Sequence, residues 1–256
     1  MKRKARHMKV RKIRKKSRKV WLVAVAIVLA IAAGCAVYVN DYYRALPEAL
    51  AVLEQAPESV TVFEEKNEQI VFMPEEVKAG LIFYPGGKVQ YEAYAPLMAE
   101  LAEQGILCVL LHMPGNLAVL NMNAADGILG EYPDVEEWYI GGHSLGGSMA
   151  ASYIDKHAEE LDGLVLLAAY STADLTGDGV KVISVFGSED KVLNEEKYKE
   201  YRGNLPEDFY EEIIEGGNHA YFGMYGMQEG DGDAGITVEE QIQYTANTII
   251  GQILVN

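Results

Sequence analysis

The 256-residue sequence has little cysteine and little tryptophan, with two of each, and its cysteines form no Cys-x-x-Cys pair. This scarcity excludes a disulfide scaffold and a cysteine-ligated zinc site. Apolar residues make up 49% of the chain and no segment repeats at solenoid length. A disordered chain, a collagen, a coiled coil and a repeat array are therefore excluded, and one globular domain fits the length.

Acidic residues are missing from the first 40 positions, and basic residues are scarce after position 19. Twelve of the 22 Lys and Arg residues lie within residues 2–19, whereas all 38 Asp and Glu residues follow position 40. The ten remaining basic residues leave residues 41–256 with a net charge of −28. A surface of that charge repels phosphate backbones, which argues against nucleic acid as a partner.

Residues 20–39 contain no charged side chain. As a helix, this stretch spans about 30 Å, the thickness of the hydrocarbon core of a bilayer. It predicts a transmembrane signal anchor through which the membrane is a partner. Because the cations precede it and the acids follow it, the N-terminus is expected in the cytoplasm and the remainder outside the cell, in a single-pass arrangement.

Two other export signals remain open for the same stretch. Residues 30–32 (Ala-Ile-Ala) offer small side chains to a signal peptidase, although the apolar run is long for a cleaved signal. Residues 32–35 (Ala-Ala-Gly-Cys) resemble a lipobox that would be lipidated at Cys35. Cys35 in the membrane segment and Cys108 in an apolar run are not expected to meet, so Cys108 is interpreted as a core residue.

The domain organisation follows from these segments: a basic head at residues 1–19, the anchor at 20–39, a juxtamembrane linker at 40–57 and one domain at 58–256. Within the domain, short apolar runs alternate with helical patterns. The predicted strands are residues 59–64 and 69–73 (a hairpin), 79–84, 106–111, 138–142, 163–168, 180–186 and 209–214. The predicted helices are residues 94–104, 117–130, 144–160, 195–201 and 237–254.

Strands that alternate with helices and read as continuously apolar predict an α/β fold, with a mostly parallel sheet between helical layers. In such sheets, ligands bind beyond the C-terminal ends of the strands. Directly after the strand at 138–142, residues 142–146 (Gly-His-Ser-Leu-Gly) match the pattern Gly-x-Ser-x-Gly. The glycines permit a tight strand-to-helix turn that exposes the Ser144 hydroxyl above the sheet, which makes Ser144 the candidate nucleophile.

A serine hydroxyl needs a base, and the sequence offers five histidines. His219 lies on a loop after the last predicted strand, where its imidazole can reach Ser144. His112 ends a strand near the same edge but is more typical of a packed residue. Of the remaining three, His7 lies in the basic head and His157 lies near a helix end. His143 directly precedes Ser144 in the turn and is expected to point away from it.

The acid that orients the imidazole is expected after the strand at 180–186, where Asp190 is the favoured candidate. Glu189 is its immediate competitor, and Asp174 and Asp178 follow the preceding strand. Each of those three is more typical of a turn or a helix cap. The chain order serine, acid, histidine is that of the α/β-hydrolase fold.

Residues 58–256 resemble the α/β-hydrolase superfamily. The resemblance is to a compact bacterial branch of serine hydrolases without a large lid. The resemblance is carried by the segments FYPGGKVQYEAYAPL, GGHSLGGSMAA, GLVLLAAYS, FGSEDKV and GGNHAYFGMYG. It implies a catalytic triad of Ser144, Asp190 and His219. It also implies an oxyanion hole formed by the backbone N–H groups of Leu145 and Gly87, although Pro85 replaces the first histidine of the His-Gly-Gly-Gly loop of many lipases.

The expected activity is that of a serine esterase acting on a small-molecule acyl substrate without a cofactor. A thioesterase, a peptidase, an acyltransferase or a non-catalytic binding module of the same fold are the alternatives. About a dozen residues separate the strands at 163–168 and 180–186, so a large lid is not expected. Side chains considered for the site wall are Tyr91, Tyr94, Met113, Asn116, Tyr170, Tyr221 and Phe222.

No metal is expected. The acidic loops 174–179 and 229–235 resemble calcium turns in composition, but neither has EF-hand spacing.

The charge asymmetry makes a testable prediction about topology. We expect the protein in the membrane fraction, with residues 41–256 digested when protease is added outside intact cells. Complete protection of this segment would refute the outward orientation. A mature chain that begins at a lipid-modified Cys35 would favour the lipoprotein alternative.

Overall fold

The structure is a computed structural model that describes residues 21–35, 37–177 and 179–254. The predicted basic head and Val20 lie outside the described residues. The chain divides into two compact units, Met1–Asp41 and Tyr42–Asn256. In the first unit, one helix (α1, Trp21–Asn40) has a mean hydropathy of 2.7 over its most apolar stretch and is long and apolar enough to cross a membrane.

The second unit is built on one eight-stranded sheet. Its strands are β1 (Val60–Glu64), β2 (Ile70–Pro74), β3 (Ala79–Tyr84), β4 (Ile106–Leu110), β5 (Trp138–His143), β6 (Gly163–Leu167), β7 (Lys181–Gly187) and β8 (Tyr210–Ile214). The spatial order is β1-β2-β4-β3-β5-β6-β7-β8. Strands β3 to β8 pair in parallel, while β1 pairs antiparallel with β2, and β2 antiparallel with β4. The predicted α/β fold, with its opening hairpin, is confirmed.

Six α-helices accompany this sheet in the described part of the second unit: α2 (Pro47–Glu54), α3 (Ala95–Glu103), α4 (Ile128–Glu131), α5 (Leu145–His157), α6 (Glu195–Tyr201) and α7 (Val238–Leu254). Alternate side chains of β3 enter different cores. Leu81 and Phe83 join the layer that contains α3 and α7, whereas Ile82 joins the layer that contains α5. The sheet is therefore covered on both faces, and its C-terminal edge is left for loops.

The segment that the sequence suggested as a linker packs into the second unit. Tyr43 forms a parallel bridge with Val89, and the methyl groups of Ala45 and Ala49 are buried in the core. Helix α2 thus belongs to the compact body that starts at Tyr42.

The predicted helix at residues 117–130 is wrong. The chain there forms a 3-10 turn (Ala118–Leu120) and only the short helix α4. Asn121 and Asn123 are of a residue type that favours turns over helices, and Gly127 adopts a φ of 84°, which ends any continuous helix. Val119 and Leu120 are consequently exposed.

The start of α5 lies directly against the end of β3. A methyl group at Gly146 would lie 2.3 Å from the carbonyl oxygens of both Tyr84 and Pro85, so only glycine fits there. At Gly142, a methyl group would lie 2.5 Å from the carbonyl oxygen of Tyr84. This close approach fixes where β5 turns into α5.

Replacing Gly146 with alanine should therefore destabilise the fold by about 2 kcal/mol, because the obstructing atoms belong to the backbone and cannot rotate away. The matched control is Gly130→Ala, since nothing lies within 4 Å of a methyl group at Gly130. That change should alter stability by about 1 kcal/mol or less. Urea unfolding of the full chain measures both, and equal midpoints for the two variants would contradict the packing argument.

Candidate active site

Ser144 occupies the turn between β5 and α5 in a strained backbone conformation. Its φ of 52° and ψ of −120° are unusual for a residue with a side chain. Its N–H donates to the carbonyl of Leu167 at 2.9 Å, which fixes the turn to the neighbouring strand. Such strain typically persists where the surrounding structure enforces it, and it is common at functional sites.

Asp190 and His219 form a buried pair on the loops after β7 and β8. His219 Nδ1 lies 2.8 Å from Asp190 Oδ2, and the two side chains are 1% and 2% exposed. The other carboxylate oxygen, Oδ1, accepts the N–H groups of Val192 and Leu193, each at 2.8 Å. The carboxylate is thus fully oriented, and it holds the imidazole with Nε2 on the opposite side of the ring.

The competing acids lie elsewhere. The Glu189 carboxylate accepts a 3.4 Å hydrogen bond from Ser188, and Asp174 accepts the hydroxyl and N–H of Thr176 in an exposed turn. Asp178 lies outside the described residues.

Two of the other histidines are engaged away from Ser144. His112 Nδ1 pairs with Glu68 at 2.7 Å, and His157 stacks on Tyr153. His7 lies in the head that the structure does not describe.

Ser144 and His219 both line one cavity of about 250 Å³. Its wall is otherwise made of small, apolar or neutral side chains: Leu145, Ser148, Ala168, Ala169, Tyr170, Val192, Leu193 and Asn194. Of the wall residues expected from the sequence, only Tyr170 is among them. Tyr94, Met113 and Phe222 are instead buried in the two cores.

The loop after β3 lies beside the start of α5. A methyl group at Gly87 would lie 3.0 Å from Leu145 Cδ2, which makes the two residues neighbours. The preceding N–H, that of Gly86, already donates to the Tyr94 hydroxyl at 3.0 Å. Gly87 and Leu145, which the resemblance suggested as oxyanion donors, are therefore neighbours, and the Gly86 N–H is engaged elsewhere.

Two residues that the sequence did not single out hold the histidine loop. Gln241 on α7 accepts the N–H of Asn218 and donates to its carbonyl, at 2.9 and 2.8 Å. Asp231 accepts the N–H groups of Ala220, His219 and Lys191, at 2.9, 3.3 and 3.3 Å. In the acidic loop that resembled a calcium turn, Asp231 therefore ties the histidine loop to the loop of Asp190.

His143, which was expected to point away from Ser144, packs against the ring of His219. The ring centroids of His143 and His219 are 4.6 Å apart, and His143 Nδ1 lies 2.8 Å from the Tyr94 hydroxyl. Burial, and then the neighbouring His219, hold the pKa of His143 well below its usual range. His143 is therefore a neutral imidazole in the folded protein near neutral pH.

A covered, mostly parallel sheet that carries a serine on a tight strand-to-helix turn is the arrangement of the α/β-hydrolase fold. The acid and the histidine follow that serine along the chain in the order of the same fold. The chain belongs to the alpha/beta hydrolase family, whose model matches residues 80–243.

Solved structures share this fold at low sequence identity. A predicted CIB-like hydrolase from Thermoplasma acidophilum is 18% identical, with a TM-score of 0.52 over 74% of this chain and 98% of that one. TT1662 from Thermus thermophilus is 14% identical (TM-score 0.55), and Est1E from Butyrivibrio proteoclasticus is 13% identical (TM-score 0.53). Each of the latter two likenesses covers 77% of this chain and 99% of the other. No curated protein matches the sequence.

The buried neutral His143 predicts a loss of stability in mild acid. Its pKa is lower in the folded state than the value of about 6.5 in the unfolded chain, so the unfolded chain binds the extra proton. The stabilisation that neutral His143 contributes to the folded state is complete above pH 6.5. As the pH falls below that value, the free energy of unfolding declines by up to about 1.4 kcal/mol per pH unit.

Urea unfolding between pH 5 and 7.5 tests this, with His143→Phe as the comparison. The titratable groups that face His143 are Tyr94, Tyr225 and His219, the last bonded to Asp190. These groups remain in the variant. Its free energy of unfolding should therefore fall less steeply with acid, and identical slopes would contradict the assignment.

Proposed function

We propose that this protein is a membrane-anchored serine hydrolase that acts outside the cell, most simply a carboxylesterase for short acyl esters. The observation that carries the proposal is the buried Asp190–His219 pair. Its outward Nε2 has no hydrogen-bond partner among the described residues, and the imidazole shares a cavity with the strained Ser144. An imidazole nitrogen without a hydrogen-bond partner can accept a proton from a hydroxyl group that lies beside it.

In the proposed reaction, the Ser144 hydroxyl attacks the acyl carbonyl while His219 Nε2 takes its proton. Asp190 fixes the tautomer, with the proton on Nδ1, and stabilises the imidazolium that forms. His219 then returns the proton to the leaving alcohol, which leaves an acyl group on Ser144. Water, deprotonated by the same nitrogen, releases the acid and restores the serine.

The negative charge of each tetrahedral intermediate would be bound by the N–H groups of Leu145 and Gly87. Both are backbone groups fixed by the packing of the β3 loop against α5, so they need little rearrangement during the reaction. The N-terminal end of α5 adds a favourable field at the same point.

The cavity supports a small, neutral acyl group. Its volume of about 250 Å³ is below the range of about 300–1,000 Å³ for drug-sized ligands, and its wall contains no Asp, Glu, Lys or Arg side chain. The connection at residues 168–180 contains no helix in its described part and packs inward through the buried Leu175. The absence of a large lid is consistent with short or soluble esters and with no activation at lipid interfaces.

Anchoring is supported by α1, and the outward orientation by the basic residues that precede it in the sequence. The acyl chemistry does not require the anchor, so the two parts of the proposal can fail separately.

The triad variants test the chemistry on p-nitrophenyl esters from acetate to palmitate. Ser144→Ala and His219→Ala should each remove nearly all turnover, by about 10⁴-fold or more, while the fold is retained. Asp190→Asn should lower kcat strongly but less completely, because the imidazole remains but loses its orientation. Rates should be highest with the shortest acyl groups.

The matched controls are Asp174→Asn and Glu189→Gln, which should keep nearly full activity. If either control lost activity while Asp190→Asn stayed near wild type, the acid would be misassigned. A fluorophosphonate probe should label the wild type but not Ser144→Ala. Full activity in Ser144→Ala, or no labelling and no turnover in the wild type, would overturn the proposed function and favour a binding module.

A further inference from the structure

A buried chain of hydrogen bonds runs beneath the candidate site. The Gly86 N–H donates to the Tyr94 hydroxyl at 3.0 Å, and that hydroxyl lies 2.8 Å from His143 Nδ1. Gly86 precedes Gly87 on the β3 loop, Tyr94 ends the turn before α3, and His143 is the last residue of β5, next to Ser144. Three separate parts of the fold therefore meet at one hydroxyl group.

The protons in this chain can be assigned from the donors and acceptors. Tyr94 is fully buried, so its hydroxyl proton needs an acceptor, and its oxygen already accepts from Gly86. His143 Nδ1 is the acceptor within reach, and we assign the single proton of the ring to Nε2, which has no hydrogen-bond partner among the described residues. The donors of these two hydrogen bonds thus point in one direction, from Gly86 through Tyr94 to His143.

The junction leaves no room for change at Gly86. A methyl group there would lie 2.7 Å from both His143 Nδ1 and the Tyr94 oxygen. At the other end, the His143 ring packs 4.6 Å from the ring of His219 and 5.6 Å from that of Phe222, centroid to centroid. The chain of hydrogen bonds therefore begins on the loop that carries Gly87 and ends at the ring that packs against His219.

We propose that Tyr94 and His143 are positioning residues, whose hydrogen-bonded chain fixes the Gly87 N–H and the His219 imidazole at a constant separation around Ser144. This inference rests on the proposed function. The oxyanion donor and the base lie on loops that follow different strands, β3 and β8, and both must be in place at once for the transition state to be stabilised. A rigid, neutral link between them keeps that geometry without adding a charge beside the base.

The test compares Tyr94→Phe, His143→Phe and the double variant on p-nitrophenyl acetate. Each single change should lower kcat by about 10- to 100-fold, since loss of an oxyanion donor costs about 10²–10³-fold and displacement costs less. KM should change by less than about 3-fold. The double variant should be no slower than the slower single variant, because both changes interrupt one chain.

Two further variants separate positioning from simple loss of stability. Tyr84→Phe removes another buried tyrosine hydroxyl, which bonds to the Met122 carbonyl and the Ala125 N–H, and it should lower stability while leaving kcat unchanged. His143→Asn keeps an acceptor where Nδ1 lies and should be faster than His143→Phe. Multiplying effects in the double variant, or the same kcat loss in Tyr84→Phe, would overturn the proposal.

A readout without turnover keeps this inference separate from the proposed function. In ¹⁵N spectra of the full chain in detergent, His143 should be neutral with its proton on Nε2. Tyr94→Phe should shift the Gly87 amide and the His219 ring signals, whereas Tyr84→Phe should not. An unchanged Gly87 amide, or a proton on His143 Nδ1, would refute the link even in an active enzyme. Inactivity of the wild type with these spectral shifts present would count against the proposed function alone.

Discussion

The strained turn at Ser144 is the constraint on which the rest of the site depends. A side chain at a φ of 52° is held in a conformation that costs on the order of 1–3 kcal/mol, and the surrounding contacts must repay it. They do so because α5 packs onto the backbone at the end of β3, an approach that only glycine at position 146 allows. The same contact brings the loop of Gly87 beside Leu145, so one packing event sets both the serine and the candidate oxyanion donors.

The opposite side of the cavity is fixed by hydrogen bonds to the backbone. The loops of Asp190 and His219 are joined through Asp231, and α7 holds Asn218 through Gln241. Each of these polar side chains forms hydrogen bonds with backbone N–H or C=O groups that have no partner within the loops. Irregular backbone can therefore be partly buried. The buried carboxylate of Asp190 is acceptable for the same reason, because both of its oxygens have donors.

The electrostatic character of the cavity differs from that of the whole molecule. Residues 41–256 carry a net charge of −28, but no Asp, Glu, Lys or Arg side chain lines the cavity. The charge of the body is a property of its solvated surface, where it favours solubility and repels polyanions. The proposed chemistry at the sheet edge depends instead on the buried Asp190–His219 pair and on nearby backbone dipoles, whose effect is strengthened by the low local dielectric.

The amino-acid sequence by itself determined the strands, the α/β class and the position of the strand-to-helix turn at Ser144, because apolar runs and glycine spacing are local signals. It favoured Asp190 as the acid over Glu189, Asp174 and Asp178, and in the structure the Asp190 carboxylate lies 2.8 Å from His219 Nδ1. The helix predicted at 117–130 is wrong because Gly127 adopts a positive φ and because asparagine, present at two positions, favours turns over helices. Only the tertiary structure decided the contacts of Asp231, Gln241, Tyr94 and His143. Their partners are distant in sequence, up to 49 residues for Tyr94 and His143, and no periodicity along the chain encodes a contact that exists only after the sheet has closed its loops together.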